Sequence, residues 1–226
     1  MLLLITDTSG RNGSVALVRA DESRPPKVEV IEVASLTGGM FSAQLVPQIA
    51  ALLTNRGFRK SDIDAFVVVS GPGSFTGLRV GLAAIKGLAE ILKKPIAPVS
   101  LLELVAVASR AEGKIAAALD AGRGEVYVGE YEVSGESAMF ERERLLTKDE
   151  FLSAAQHATV ATPDEKLAAV ASGAGLSVFL VEFPGPEAIA RLGWRKLQAG
   201  ETVTPEQLEA NYIRRTDAEI LAKVSS

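Results

Sequence analysis

Residues 70–81 read SGPGSFTGLRVG and dictate a strand, a sharp turn and a helix in immediate succession. Ala65, Phe66, Val67, Val68 and Val69 lead in as a β-type run, and a helical pattern over residues 76–92 leads out. Gly71, Pro72, Gly73 and Gly77 punctuate the turn, and Gly71 and Gly73 suggest backbone angles that a Cβ resists. A tight strand-to-helix turn points free N–H groups outward, at a helix end whose dipole attracts anions. The turn is therefore a candidate seat for a phosphate or for another macromolecule's carbonyl groups. The plainer alternative is that the glycines only permit a tight turn and close helix packing. Neither familiar nucleotide motif fits. The third glycine comes one residue late for the dinucleotide fingerprint, and Leu78 and Arg79 follow Gly77 where a Walker A loop needs Lys and Ser/Thr.

The helix after the turn carries Gly77, Gly81, Ala84 and Gly87. Each interior glycine costs about 1 kcal/mol relative to alanine, so something is expected to approach this backbone closely. A second helix, predicted over residues 42–56 with Pro47 starting or kinking it, brings Leu45, Ile49 and Leu52. Apolar positions on both sides of these helices predict a shared association face.

Composition narrows the chemistry. The 226 residues suffice for one large or two small domains, and 47% apolar content with 5% aromatics gives an aliphatic core. There is no cysteine and one histidine, so disulfides, thiolate nucleophiles, Cys-type zinc sites and His-x-x-x-His pairs are excluded. His157, in an Ala/Gln-rich segment, reads as a surface residue, and Ser74 lies outside any G-x-S-x-G elbow. Asp62 with Asp64, and Glu141 with Glu143, lack metal-ligand spacing. A net charge of −4 offers no general basic surface for nucleic acid. The apolar start, MLLLITD, is short and lacks a basic lead, so it reads as a buried strand of a soluble cytoplasmic protein rather than a signal or membrane span.

Strands are predicted at 2–6, 14–19 and 28–34, with Pro25-Pro26 at a hairpin tip. With the helix at 42–56, the opening motif, a strand at 96–99 and a helix at 101–111, this makes a mixed sheet with an antiparallel edge and a parallel remainder. The second half echoes the first: a strand at 114–119, Asp120 and a Gly-rich turn, then a strand at 125–131, as Asp7 ends the first strand before Thr8, Ser9 and Gly10. That echo hints at internal duplication. Helices at 148–157, 164–171 and 186–199 and a strand at 177–181 follow. The predicted lobes are 1–105 and 106–216, with a last helix at 217–224 folding back on the first.

Four stretches together resemble the TsaB (YeaZ) family: ITDTSGRNGSVALV at the start, SGPGSFTGLRVG continuing through Ala83-Ala84-Ile85-Lys86-Gly87-Leu88-Ala89, DAGRGEVY from Asp120, and ANYIR from Ala210. The likeness runs through the whole chain in order. It departs at Phe41-Ser42-Ala43-Gln44, where the family has a His-Ser-Glu-like opening, at Gly122 in place of a basic residue and at Ala210 in place of a proline.

The resemblance implies an actin/Hsp70/sugar-kinase (ASKHA) α/β fold in two duplicated lobes, with Asp7, Thr8, Ser9 and Asp120 as a vestigial nucleotide loop. It implies no catalytic residue, no metal and no dedicated cofactor, with room for a nucleotide at a subunit interface. The implied role is a scaffold and activator for the catalytic subunit TsaD, which, with the ATPase TsaE, transfers threonylcarbamoyl to N6 of adenosine 37 in ANN-decoding tRNAs. The chain then meets tRNA only through the complex, pairs with itself when TsaD is absent, and binds its partner through Leu45, Ile49, Leu52, Gly73, Phe75, Thr76, Gly77, Arg79, Gly81 and Ala84. The competing reading is a small ASKHA kinase or ATPase acting alone through Asp7, Asp120 and the Gly71–Gly77 turn. Ala-Gly-Arg-Gly after Asp120 lacks the threonine such a loop needs, and a glycopeptidase reading lacks metal ligands and a nucleophile–base pair.

Overall fold

The computed structural model describes residues 1–21, 23 and 27–213. The predicted hairpin tip at Pro25-Pro26, the tail residues Arg214 and Arg215 and the predicted helix at 217–224 lie outside the described residues. The chain divides into two compact units, each built on a five-stranded mixed sheet.

The first unit holds Met1–Leu104 and Phe183–Ala210. Its sheet runs β3 (Val28–Leu36), β2 (Gly13–Ala20), β1 (Leu2–Asp7), β4 (Ala65–Gly71), β5 (Ile96–Ser100). β1 to β3 form an antiparallel meander, while β4 and β5 run parallel to β1. The two central strands, LLLITD and AFVVVSG, are buried at every position, which explains their unbroken apolar runs. α1 (Phe41–Asn55) and α2 (Phe75–Leu92) cover one face, where Leu4, Leu17, Phe66 and Val68 meet Leu45, Ile49, Leu52, Leu78 and Ile85. α1 runs unbroken through Pro47.

The other face is covered by α6 (Pro186–Ala199), which packs on β1, β4 and β5. Gly193 comes so close to Val67 that a Cβ there would overlap its side chain. The segment that returns to the first lobe is thus 183–210, which the sequence reading placed in the second lobe. α6 carries Ile189, Ala190, Leu192 and Trp194 on one buried stripe and needs the sheet to cover it.

The second unit holds Val105–Glu182 and 211–213 of the described residues. Its strands are β6 (Gly113–Gly122), β7 (Glu125–Ser134), β8 (Ser137–Thr147), β9 (Thr159–Thr162) and β10 (Val178–Leu180), in the order β10-β9-β6-β7-β8. Strand for strand this repeats the first sheet: a meander β6-β7-β8, then β9 parallel to β6 and β10 parallel to β9. α4 (Lys148–Ala154) and α5 (Glu165–Gly173) pack Phe151, Leu167 and Ala171 on Ala116, Ala118, Val126, Val128 and Val160. α3 (Leu101–Ala108) carries the chain across the division between units. No helix among the described residues is long and apolar enough to cross a membrane.

Candidate functional site

The loop after β1 is folded under the start of α2. Asp7, Thr8 and Ser9 are 6%, 2% and 3% exposed. Oδ1 of Asp7 accepts the Ser9 amide at 2.8 Å and the Ser9 hydroxyl at 2.6 Å, an Asx turn closed within the loop. Burial holds the Asp7 carboxyl above the usual carboxylate range, opposed by the hydrogen bonds from Ser9. The Ser9 carbonyl accepts the Ser74 amide at 2.7 Å, at the position that caps α2. The Ser74 hydroxyl in turn accepts the Gly77 amide at 3.3 Å. One of the N–H groups read as free for a ligand therefore already holds a carbonyl of the same chain.

The glycines explain how this is reached. A Cβ at Gly73 would overlap the Ser9 carbonyl, one at Gly77 the Thr8 carbonyl, and one at Gly81 the Thr8 hydroxyl. Gly71 does take a left-handed φ of 125°, as the sequence suggests, whereas Gly73 is required by this close approach rather than by its φ. Phe41 seals the arrangement: its ring would lie 3.1 Å from a Cβ at either Gly13 or Gly77. Neither Phe41 nor Gly13 was among the expected site residues. The signal that could have found Phe41 is that it stands where the resembled family has a polar opening.

Several expected interface residues are therefore reassigned. Leu45, Ile49 and Leu52 are 1–4% exposed and turn inward to the sheet, so their side chains hold the core. Gly77 and Gly81 are buried against Thr8, and Gly73 rests on Ser9. The Gly77 and Gly81 part of the small-residue stripe is filled from within the lobe, whereas Gly87 is open. Thr76 and Arg79 do reach the surface, Phe75 and Ala84 are half-buried, and the Arg79 guanidinium stacks 3.6 Å over the Phe75 ring. The outward side of α1 is Ser42, Ala43, Val46, Pro47, Ala50, Ala51, Thr54 and Asn55, and that of α2 includes Ala83, Gly87 and Ile91. Val46 is 58% exposed and Ile91 72%. α1 carries no charged residue anywhere along its length.

Asp120 lies in the other lobe, in a different setting. It is exposed, and its Oδ1 accepts the Gly122 amide at 3.0 Å. His157 is exposed, as read from sequence. Asp62 accepts the Arg59 amide and Asp64 the Leu2 amide, each at 2.8 Å. On β7, burial raises the Glu130 carboxyl, but hydrogen bonds from Arg142 and Arg144 outweigh it and hold the group below the usual range. Among the described residues no group of three or more His, Cys, Asp or Glu side chains is placed to hold a metal ion.

Two lobes that repeat one strand order define an ASKHA-like α/β protein. The family model of TsaD, described as tRNA N6-adenosine threonylcarbamoyltransferase, matches residues 35–220. The tRNA threonylcarbamoyladenosine biosynthesis protein TsaB of Bacillus subtilis is 35% identical over 133 residues, 58% of this chain and 56% of that protein. TsaB of Haemophilus influenzae is 37% identical over 131 residues, 56% of this chain and 52% of that protein. The alignment thus spans about half the length of these curated relatives. The solved structure of YeaZ from Pseudomonas aeruginosa superposes with a TM-score of 0.71 at 26% identity, over 93% of this chain and all of that one. The chain belongs to the TsaB (YeaZ) family.

Proposed function

We propose that this chain is a non-catalytic scaffold and activator subunit in tRNA threonylcarbamoyladenosine formation, working by association with a TsaD-type catalytic subunit that, with TsaE, transfers threonylcarbamoyl to N6 of adenosine 37 in ANN-decoding tRNAs. The observation that carries the reading is the filled loop: Asp7 and Ser9 satisfy each other, and the Ser9 carbonyl holds the helix start where a nucleotide-binding loop would have to open. A kinase or ATPase acting alone requires that opening. The uncharged outer side of α1 and the neighbouring Ala83, Gly87 and Ile91 of α2 support association, because an exposed helix face without charge is expensive to leave in water and suits a protein partner. Phe75, Thr76 and Arg79 would extend this face at the start of α2. The same face would join two copies when TsaD is absent, in the cytoplasm, and tRNA would be bound through the complex.

The test is reconstitution of the chain with TsaD and TsaE from the same genome, threonylcarbamoyl-adenylate and an ANN-decoding tRNA, omitting one protein at a time. Modification should require this chain, and the chain alone should give none. Full activity in its absence would remove the assignment, and robust ATP turnover by the chain alone with a small acceptor would favour the kinase reading.

A further inference from the structure

We infer that Thr8 and Ser9 are positioning residues of the association face: the loop after β1 is the seat that sets where α2 stands, and through it how the partner is met. The inference rests on the association reading above and adds what fixes the geometry of that face. Gly77 and Gly81, four residues apart, form one stripe along α2, and Gly73 lies just before the Ser74 cap. All three press on the loop, Gly73 on Ser9 and the other two on Thr8, with the Phe41 ring also against Gly77. The Ser9 carbonyl also holds the Ser74 amide, which sets the height of the helix start. One residue of rotation would carry Leu78 and Leu82 onto the loop, where there is no room for a side chain. The seat thus fixes both the rotation and the height of α2. A helix is rigid, so what locates its inner stripe locates Ala83, Gly87 and Ile91 on the outer side as well. Asp7 completes the device by locking the Ser9 amide and hydroxyl from below.

The test uses the full chain and its TsaD homologue, titrated by calorimetry well below the melting temperature, which is recorded for each variant. Gly81→Ala should weaken binding at least tenfold, because its methyl must displace the Thr8 hydroxyl. In Thr8→Ala/Gly81→Ala that hydroxyl is gone, and binding should return to within threefold of Thr8→Ala. Thr8→Val/Gly81→Ala puts a methyl where the hydroxyl stood and should not recover. If Gly81→Ala alone does not fold, the two double variants decide: the first should fold and bind, and the second should not. The inference is overturned if Gly81→Ala lowers the melting temperature yet binds like the wild type, since the contact then serves only the fold. It is equally overturned if both double variants recover alike, or if the first recovers neither folding nor binding. Failure of the wild type itself to bind TsaD would instead sink the association reading, and the seat's role with it.

Discussion

The two lobes share a strand order and both place an aspartate late in their first strand, yet that aspartate meets opposite fates. Asp7 and Asp120 each accept an amide two residues on, at 2.8 and 3.0 Å. Asp7 is buried and Asp120 exposed. In the second lobe β6 turns into β7 through Arg123 and Gly124 alone, at φ of 57° and 80°, the two left-handed residues of a tight hairpin. In the first lobe a five-residue loop, 8–12, joins β1 to β2 and is drawn beneath α2. The helices that follow the equivalent strands differ in the same sense. α2 has 18 residues and two glycines, Gly77 and Gly81, pressed on the loop, whereas α5 has 9, opens on an ordinary Asp164 cap and has nothing within 4 Å of where a Gly173 Cβ would stand. One topology therefore gives either a solvated hairpin or a buried seat, depending on whether the neighbouring helix lacks side chains on one stripe.

If that account is right, the same substitution should act oppositely in the two lobes. Gly77→Ala forces a methyl onto the Thr8 backbone and should destabilise the chain by about 3 kcal/mol in urea unfolding, an overpacking change with no flexible neighbour to yield. Equal tolerance of alanine at Gly77 and Gly173 would break the comparison. The outward faces should differ next. Val46→Asp, on uncharged α1, should lower affinity for TsaD more than tenfold while shifting stability by less than about 0.5 kcal/mol. Ser153→Asp, on α4, which already carries Lys148, Asp149 and Glu150, should leave affinity unchanged.

The aspartates offer a subtler contrast. The native Asp7 carboxyl titrates above its unfolded value of about 3.9. Between those two values the folded chain binds more protons than the unfolded one, so this group's contribution falls as pH rises and stays at its full penalty above the raised value. Asp7→Asn keeps the Oδ1 acceptor and removes the charge. It should therefore raise stability at pH 7 and flatten that part of the fall, as urea unfolding between pH 4 and 8 would measure. A lower stability at pH 7 would mean that the charge itself holds the loop. Asp120→Asn, on an exposed side chain, should change stability by less than about 0.5 kcal/mol. Gly173→Ala should stabilise by about 0.5–1 kcal/mol through helix propensity alone.

Much of this architecture is legible in the chain because the signals are local. The run of Val67, Val68 and Val69, and the 186–199 pattern with Pro186 at its start and Gly200 in the left-handed region at its end, mark β4 and α6 directly. β8 escapes because its Glu141-Arg142-Glu143-Arg144 tract alternates charge rather than hydrophobicity. It is an edge strand whose arginines answer Glu130 on β7 and whose Glu143 accepts from Tyr131 and Asn211. β9 escapes because four residues, TVAT, are too few for a period. At the site, the glycine stripe announces close approach without saying by what. Only the pairing of β1 with β4 brings Thr8 beneath Gly77 and Gly81. Leu45, Ile49 and Leu52 likewise show an apolar side of α1, but which side meets the sheet is a tertiary matter.

The placement of α6 has a consequence for how the protein is made. The face of the first sheet that includes Val67 lacks α6 until Gly193 and its neighbours have been synthesised, after residues 105–182 of the second unit. At typical translation rates the interval between Leu104 and Ala199 is about 5–20 s. Whatever part of the first sheet forms in that interval has no α6 to cover it while residues 105–182 are made. A ribosome stalled anywhere before residue 186 would leave that side open indefinitely, presenting an aggregation-prone surface that a finished molecule never shows.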